Sequence, residues 1–135
     1  MNEPDVINGM LGESAGRTIA VVGLSENPAK PSHYVSAYMQ RQGYKIYPVN
    51  PSIETVLGEK SYASLAELPV KPDVVNVFRV PATIPGIVEE MLALGLKQLW
   101  VQAGIVNLEA AERAEQGGIR VVMDRCIMVD HRQRL

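Results

Sequence analysis

Few side chains in this sequence are of types that move protons, attack carbonyls or hold metals. One cysteine, Cys126, and two histidines, His33 and His131, are too few and too scattered for zinc-ligand spacing, and a single cysteine forms no internal disulfide. Glu109, Glu112 and Glu115 follow helical spacing as a solvated stripe, and Glu89-Glu90 sit in another helical stretch, so no two carboxylates converge on a reacting bond. What the sequence offers instead is a seat for an anion. Gly23-Leu24-Ser25 ends an apolar run, and Lys30-Pro31-Ser32 opens a helical one. A strand that ends in glycine and turns into a helix start presents backbone N–H groups and the positive end of the helix dipole. Ser25 and Ser32 add hydroxyl donors, and Lys30 adds a compact cation suited to a diphosphate. A loop of ordinary turn residues is the plainer alternative. His33, beside this loop, can bond a phosphate as readily as move a proton, although a surface histidine at a helix start is the commoner case.

These residues need a scaffold, and the sequence predicts one of alternating strands and helices. Thr18 to Gly23 is a β-branched apolar run, as in a strand buried on both faces. Ser32 to Gln42 has helical spacing and stops at Gly43; Tyr44 to Val49 is a second strand, ended by Asn50-Pro51. After a polar connection, a short helix is expected over Tyr62 to Leu68 and a third strand over Asp73 to Phe78. A helix over Ile84 to Leu94 tolerates Pro85 in its first turn and ends at Gly95. Gln98 to Gln102 is a fourth strand, Asn107 caps a helix over Leu108 to Gln116, and Gly117-Gly118 precedes a fifth strand over Ile119 to Met123. Such alternation implies a Rossmann-like three-layer α/β/α sandwich with a five-stranded parallel sheet. Residues 1–17 lie outside it as an extension, with weak helical periodicity from Pro4 to Leu11, and residues 18–135 form the Rossmann-like domain. In this architecture ligands settle beyond the carboxyl ends of the strands, where the strand order reverses.

Composition narrows the field. At 135 residues the chain fits one domain, and 47% apolar with 21% charged residues is a globular composition. A net charge of −2 argues against a nucleic-acid binder acting through bulk charge. No apolar run approaches the ~20 residues of a membrane span, and the acidic N-terminus does not read as a secretory signal, so a cytoplasmic protein is expected. The terminal run His131-Arg132-Gln133-Arg134 reads as solvated charge.

An NAD(P)-dependent oxidoreductase is the alternative that the fold keeps open, and two marks count against it. The G-x-G-x-x-G fingerprint is missing, since Ser25 and Pro28 follow Gly23 where glycines would stand. The second strand ends at Asn50-Pro51 rather than at an acid that holds ribose hydroxyls.

Five blocks carry a resemblance by their order. They are Val21-Val22-Gly23-Leu24-Ser25 with Lys30-Pro31-Ser32, Tyr47-Pro48-Val49-Asn50-Pro51, Val77-Phe78-Arg79, Trp100-Val101-Gln102-Ala103-Gly104, and Asp124-Arg125-Cys126. From about Thr18 to Asp130 the chain resembles the small single-domain CoA-binding proteins, relatives of the nucleotide-binding domain of the succinyl-CoA synthetase α subunit. The resemblance implies coenzyme A, or an acyl-CoA, across the carboxyl edge of the sheet. Its diphosphate would meet the loop of Gly23, Leu24, Ser25, Lys30 and Ser32, and Asn50-Pro51 would border the nucleotide. Asn50 in place of an acid suits a ligand with a 3′-phosphate, which a carboxylate would repel.

Phe78 is expected to border adenine or pantetheine, with core packing as the equal alternative, and Arg79 to fork onto a phosphate. Gln102 and the Gly104 backbone are placed to meet the pantetheine arm. Cys126 falls on the carboxyl side, where a thiol facing the cavity would form a mixed disulfide with CoA; lone cysteines more often pack as small apolar residues. With no catalytic pair in view, the expected function is non-catalytic binding, as carrier, sensor or buffer. Self-association, including a homodimer, is left open.

Overall fold

The computed structural model of this chain describes residues 1–134. In chain order its elements are α1 (Pro4–Leu11), β1 (Thr18–Val22), α2 (Pro31–Arg41), β2 (Lys45–Val49), β3 (Thr55–Val56), β4 (Glu59–Lys60), β5 (Val74–Val77), α3 (Ile84–Leu94), β6 (Gln98–Val101), α4 (Leu108–Gln116), β7 (Arg120–Met123) and α5 (Ile127–Gln133). Five parallel strands form the central sheet in the order β2-β1-β5-β6-β7, the α/β Rossmann-like architecture that the alternation predicts. β1 is paired on both sides, with Ile19 opposite Ile46 of β2 and Val74 of β5.

Because strand side chains alternate faces, each strand feeds two cores. Ala20, Val75, Leu99, Val121 and Met123 pack under α3 and α4. Ile19, Val21, Val74, Trp100 and Val122 pack against Met10 and Leu11 of α1, Val35 and Met39 of α2, and Ile127 of α5. Trp100 is fully buried and its indole N–H donates to Arg125 O at 2.9 Å, which anchors the approach to α5.

Local chemistry sets the helix ends. Pro31 and Pro85 occupy first turns, where a missing N–H costs nothing. Gly95 ends α3 in the left-handed conformation, and Asn107 Oδ1 caps α4 by accepting from Ala110 N at 3.1 Å.

Three segments differ from expectation. The polar connection after β2 contains a hairpin: Val56 pairs with Glu59, and Leu57-Gly58 turns with both φ values positive, 54° and 74°. That is the geometry of a type I′ turn, hidden because leucine stands where asparagine is usual. The helix expected over Tyr62 to Leu68 is only a 3₁₀ turn at Leu65–Glu67. Tyr62 is drawn instead into a bridge with the edge of β2, its N–H donating to Pro48 O at 3.0 Å and its carbonyl accepting from Asn50 N at 2.9 Å.

Arg132, Gln133 and Arg134 of the terminal run are exposed, as expected, but the run is held in place rather than loose. It belongs to α5, with His131 buried, and Asp130 is 7% exposed and gripped by Arg125 through Nε at 2.8 Å and Nη2 at 2.6 Å. Tyr38 of α2 and His131 share a 2.8 Å hydrogen bond that docks the helix.

The N-terminus is tied down as well. Asn2 N donates to Val121 O, while its side chain receives Met123 N at 2.7 Å and donates to Met123 O at 2.8 Å along the outer edge of β7.

Candidate functional site

The strand order reverses at β1, so the crevice between the carboxyl ends of β1 and β5 is the switch point. Gly23 leaves β1 with φ +90°, and a Cβ there would lie 2.6 Å from Phe78 O and 2.8 Å from Arg79 Cδ. Only glycine lets the two strand ends approach so closely.

Beyond Gly23 the loop holds its own shape. Ser25 N donates to Ser32 Oγ at 3.0 Å, Asn27 N to Ser25 Oγ at 3.0 Å, and Ala29 N to Asn27 Oδ1 at 3.0 Å. Lys30 N is also taken, by Asn27 O. Several backbone donors that the sequence reading counted toward an anion are therefore bonded within the loop. The two serine hydroxyls accept from the backbone and keep their own protons to donate outward.

A cleft of about 570 Å³ opens on this loop. Gly23, Ser25, Lys30 and Ser32 form one wall, Phe78 and Arg79 another, and Gln102 and Gly104 a third. The side chains of Lys30 and Arg79 are exposed, and among the described residues no carboxylate lines the cleft. Phe78 serves twice: it borders the cleft and packs half-buried on the α2-side core. Gln102 is buried below the rim, and Gly104 N donates to Asp124 Oδ1 at 2.7 Å, which fixes the third wall to the end of β7.

The remaining sequence-predicted residues lie outside the lining. Leu24 is fully buried in the core, and its carbonyl accepts from Asn50 Nδ2 at 3.0 Å. Asn50 Oδ1 in turn accepts from Ser52 N at 2.9 Å, so its side chain braces the first loop from below. Pro51 is exposed at the turn that follows. Cys126 does not line the cavity either; it precedes α5 and packs half-buried against the α2-side core. The apolar part of the lining, Val80, Pro81 and Ile105, was missed by sequence reasoning, though each lies within three residues of Phe78-Arg79 or Gln102 on the same loops.

Other cavities are set apart from this constellation. One of about 530 Å³ lies at the opposite, amino edge of the sheet beside Lys71, Lys97 and Asp73, and the Asp73 carboxylate there is committed to Thr18. Among the described residues no group of three or more His, Cys, Asp or Glu side chains is placed to hold a metal, and no helix is long and apolar enough to cross a membrane.

Fold and cleft together define a Rossmann-like α/β domain whose crevice lies at the switch point of its sheet. The chain belongs to the CoA binding domain family, whose model matches residues 17–132. The uncharacterized protein YneT of Bacillus subtilis is 47% identical over 115 residues, 85% of each chain. The ADP-forming acetate–CoA ligase II of Archaeoglobus fulgidus is 33% identical over 104 residues, which are 75% of this chain and 15% of the ligase. Among solved structures, a Pyrococcus horikoshii protein aligns with a TM-score of 0.88 at 34% identity, covering 98% of this chain and 92% of its own. A Thermus thermophilus protein aligns with a TM-score of 0.86 at 36% identity, covering 97% and 95%.

Proposed function

We propose that this chain binds coenzyme A or an acyl-CoA in the cleft at the carboxyl edge of the sheet, as a cytoplasmic carrier or sensor rather than a catalyst. One observation carries the reading: two serine hydroxyls, Lys30 and Arg79 converge on a cleft that no carboxylate of the described residues lines. Such a lining suits a ligand that is anionic through several phosphates and repels nothing on it. The diphosphate would meet Ser25, Ser32 and Lys30 beside Gly23, and Arg79 would reach a phosphate from across the crevice. The bulky ring of Phe78 gives the nucleotide or its arm an apolar border. Asn50 acts at one remove, bracing the loop through the Leu24 carbonyl.

The similarity to a ligase whose name includes CoA supports the choice of ligand. It says nothing of catalysis here, because the matched segment spans 15% of that enzyme.

Thermal-shift and calorimetric titration with CoA, acetyl-CoA, NAD, NADP and ATP tests the reading. A ligand that binds only the folded state at about 100 times its Kd adds roughly 2.7 kcal/mol of stability. Stabilisation by CoA or acetyl-CoA above the others is expected; stabilisation by NAD alone would overturn it in favour of a dinucleotide enzyme.

A further inference from the structure

We infer that Asp124 is a positioning residue for the bound ligand: its side chain holds the Ala103-Gly104 wall of the cleft in its binding shape without touching the ligand. The inference rests on the CoA reading above and adds to it the group that keeps this wall in place.

Asp124 follows β7 with φ +61°, in the left-handed region that few residues other than glycine adopt. The turn redirects the chain toward α5, and Arg125 O there accepts from the Trp100 indole at 2.9 Å. Glycine would make such a turn without strain. The aspartate side chain supplies what glycine lacks, a carboxylate whose Oδ1 accepts from Gly104 N at 2.7 Å, 20 residues back in the chain. Asp124 N also donates to Val101 O at 3.0 Å, so one residue bonds to both ends of residues 101–104.

Gln102, Ala103 and Gly104 of this stretch line the cleft, and Asp124 does not. Gln102 is anchored independently, its N–H donating to Val77 O at 3.1 Å and its carbonyl accepting from Ile105 N at 3.2 Å. Among the described residues, the backbone of Ala103 and Gly104 makes one hydrogen bond, the one to Asp124. Both residues are exposed, and nothing lies within 4 Å of where a Gly104 Cβ would stand, so packing does not hold the turn. A glycine turn released from its one bond samples many conformations, which the ligand must then order on binding. The cost falls on affinity rather than on the fold, because an exposed turn of this kind adds little to the core.

The test is calorimetric titration of wild type, Asp124→Gly and Asp124→Asn with CoA, together with urea denaturation of each. Asp124→Gly keeps the left-handed turn and deletes only the side-chain acceptor. Asp124→Asn keeps an oxygen for Gly104 N and tolerates the same φ. The glycine variant should weaken CoA about fivefold or more, with a urea midpoint near that of wild type because relief of strain offsets the lost bond. The asparagine variant should bind at least as tightly as wild type. A residue needed only for the turn would leave the glycine variant binding CoA as wild type does, and that result overturns the inference while the CoA reading stands. An equal loss in both variants does the same, since the effect would then follow the charge and not the bond. Wild type that fails to bind CoA removes that reading and the inference with it.

Amide hydrogen exchange on the ligand-free proteins guards against a destabilised variant. The Gly104 N–H should be protected in wild type and in Asp124→Asn, and should lose protection in Asp124→Gly while the Gln102 N–H keeps it. An unprotected Gly104 in wild type overturns the assignment.

Discussion

Gly23 and Phe78 meet at the head of the cleft, where a Cβ on Gly23 would stand 2.6 Å from the Phe78 carbonyl oxygen. Neither strand end can give way, because Gly23 N donates to Val49 O and Phe78 N to Val22 O, both at 2.9 Å. With φ at +90° as well, Gly23→Ala should lose about 2 kcal/mol or more of folding stability and widen the cleft mouth. Urea denaturation reads this directly. An unshifted midpoint would mean that the close approach is not a constraint.

Lys30 and Arg79 are exposed, so their removal should leave the fold nearly untouched. Lys30→Ala and Arg79→Ala are each expected to weaken CoA by about tenfold, with the loss shrinking as salt is raised. Titration at two ionic strengths checks both statements. Wild-type affinity in both variants would clear these residues of a binding role.

His131 is held below its ordinary pKa, first by burial and then by the guanidinium of Arg134, which caps the end of α5. Tyr38 of α2 and Tyr44, just before β2, face it edge-on, and the nearby Asp130 is engaged by Arg125. The folded protein thus keeps the imidazole neutral at a pH where the unfolded chain would protonate it. Stability from this group is full above the ordinary imidazole pKa and falls as pH drops below it toward the lowered value. His131→Gln should flatten the thermal-midpoint profile between about pH 7 and pH 5. A variant profile parallel to wild type would show that another group governs acid sensitivity.

Ser36 lies on the buried face of α2 with no partner for its hydroxyl. Ser36→Ala removes an unsatisfied polar group and improves helix propensity, so a gain of about 1 kcal/mol is expected in chemical denaturation. Destabilisation instead would reveal a hydrogen bond to that hydroxyl.

The sequence was most informative where local chemistry decides. α3 and α4 run over the expected residues, because Pro85 in a first turn, the left-handed Gly95 and the Asn107 cap are effects of neighbouring residues. The switch-point loops followed from alternation alone. Periodicity could not say where a loop side chain points, and Asn50 turns to Leu24 O rather than to the cleft. The hairpin escaped because Leu57 adopts a conformation rare for leucine, held in part by Gln40 Nε2 donating to Leu57 O at 3.0 Å. α5 escaped because its partners, Tyr38 and Tyr44, lie some ninety residues earlier in the chain. A run of charge names no such partner in advance.

The bonds that Asn2 makes to Val121 and Met123 cover part of the outer border of β7, and at the other border Pro48 lacks a donor while Tyr62 takes up its carbonyl. An open parallel sheet otherwise carries two rows of unpaired amides that recruit foreign strands. With both borders blunted in this way, growth by strand addition at the sheet edges is disfavoured by the same backbone that frames the crevice.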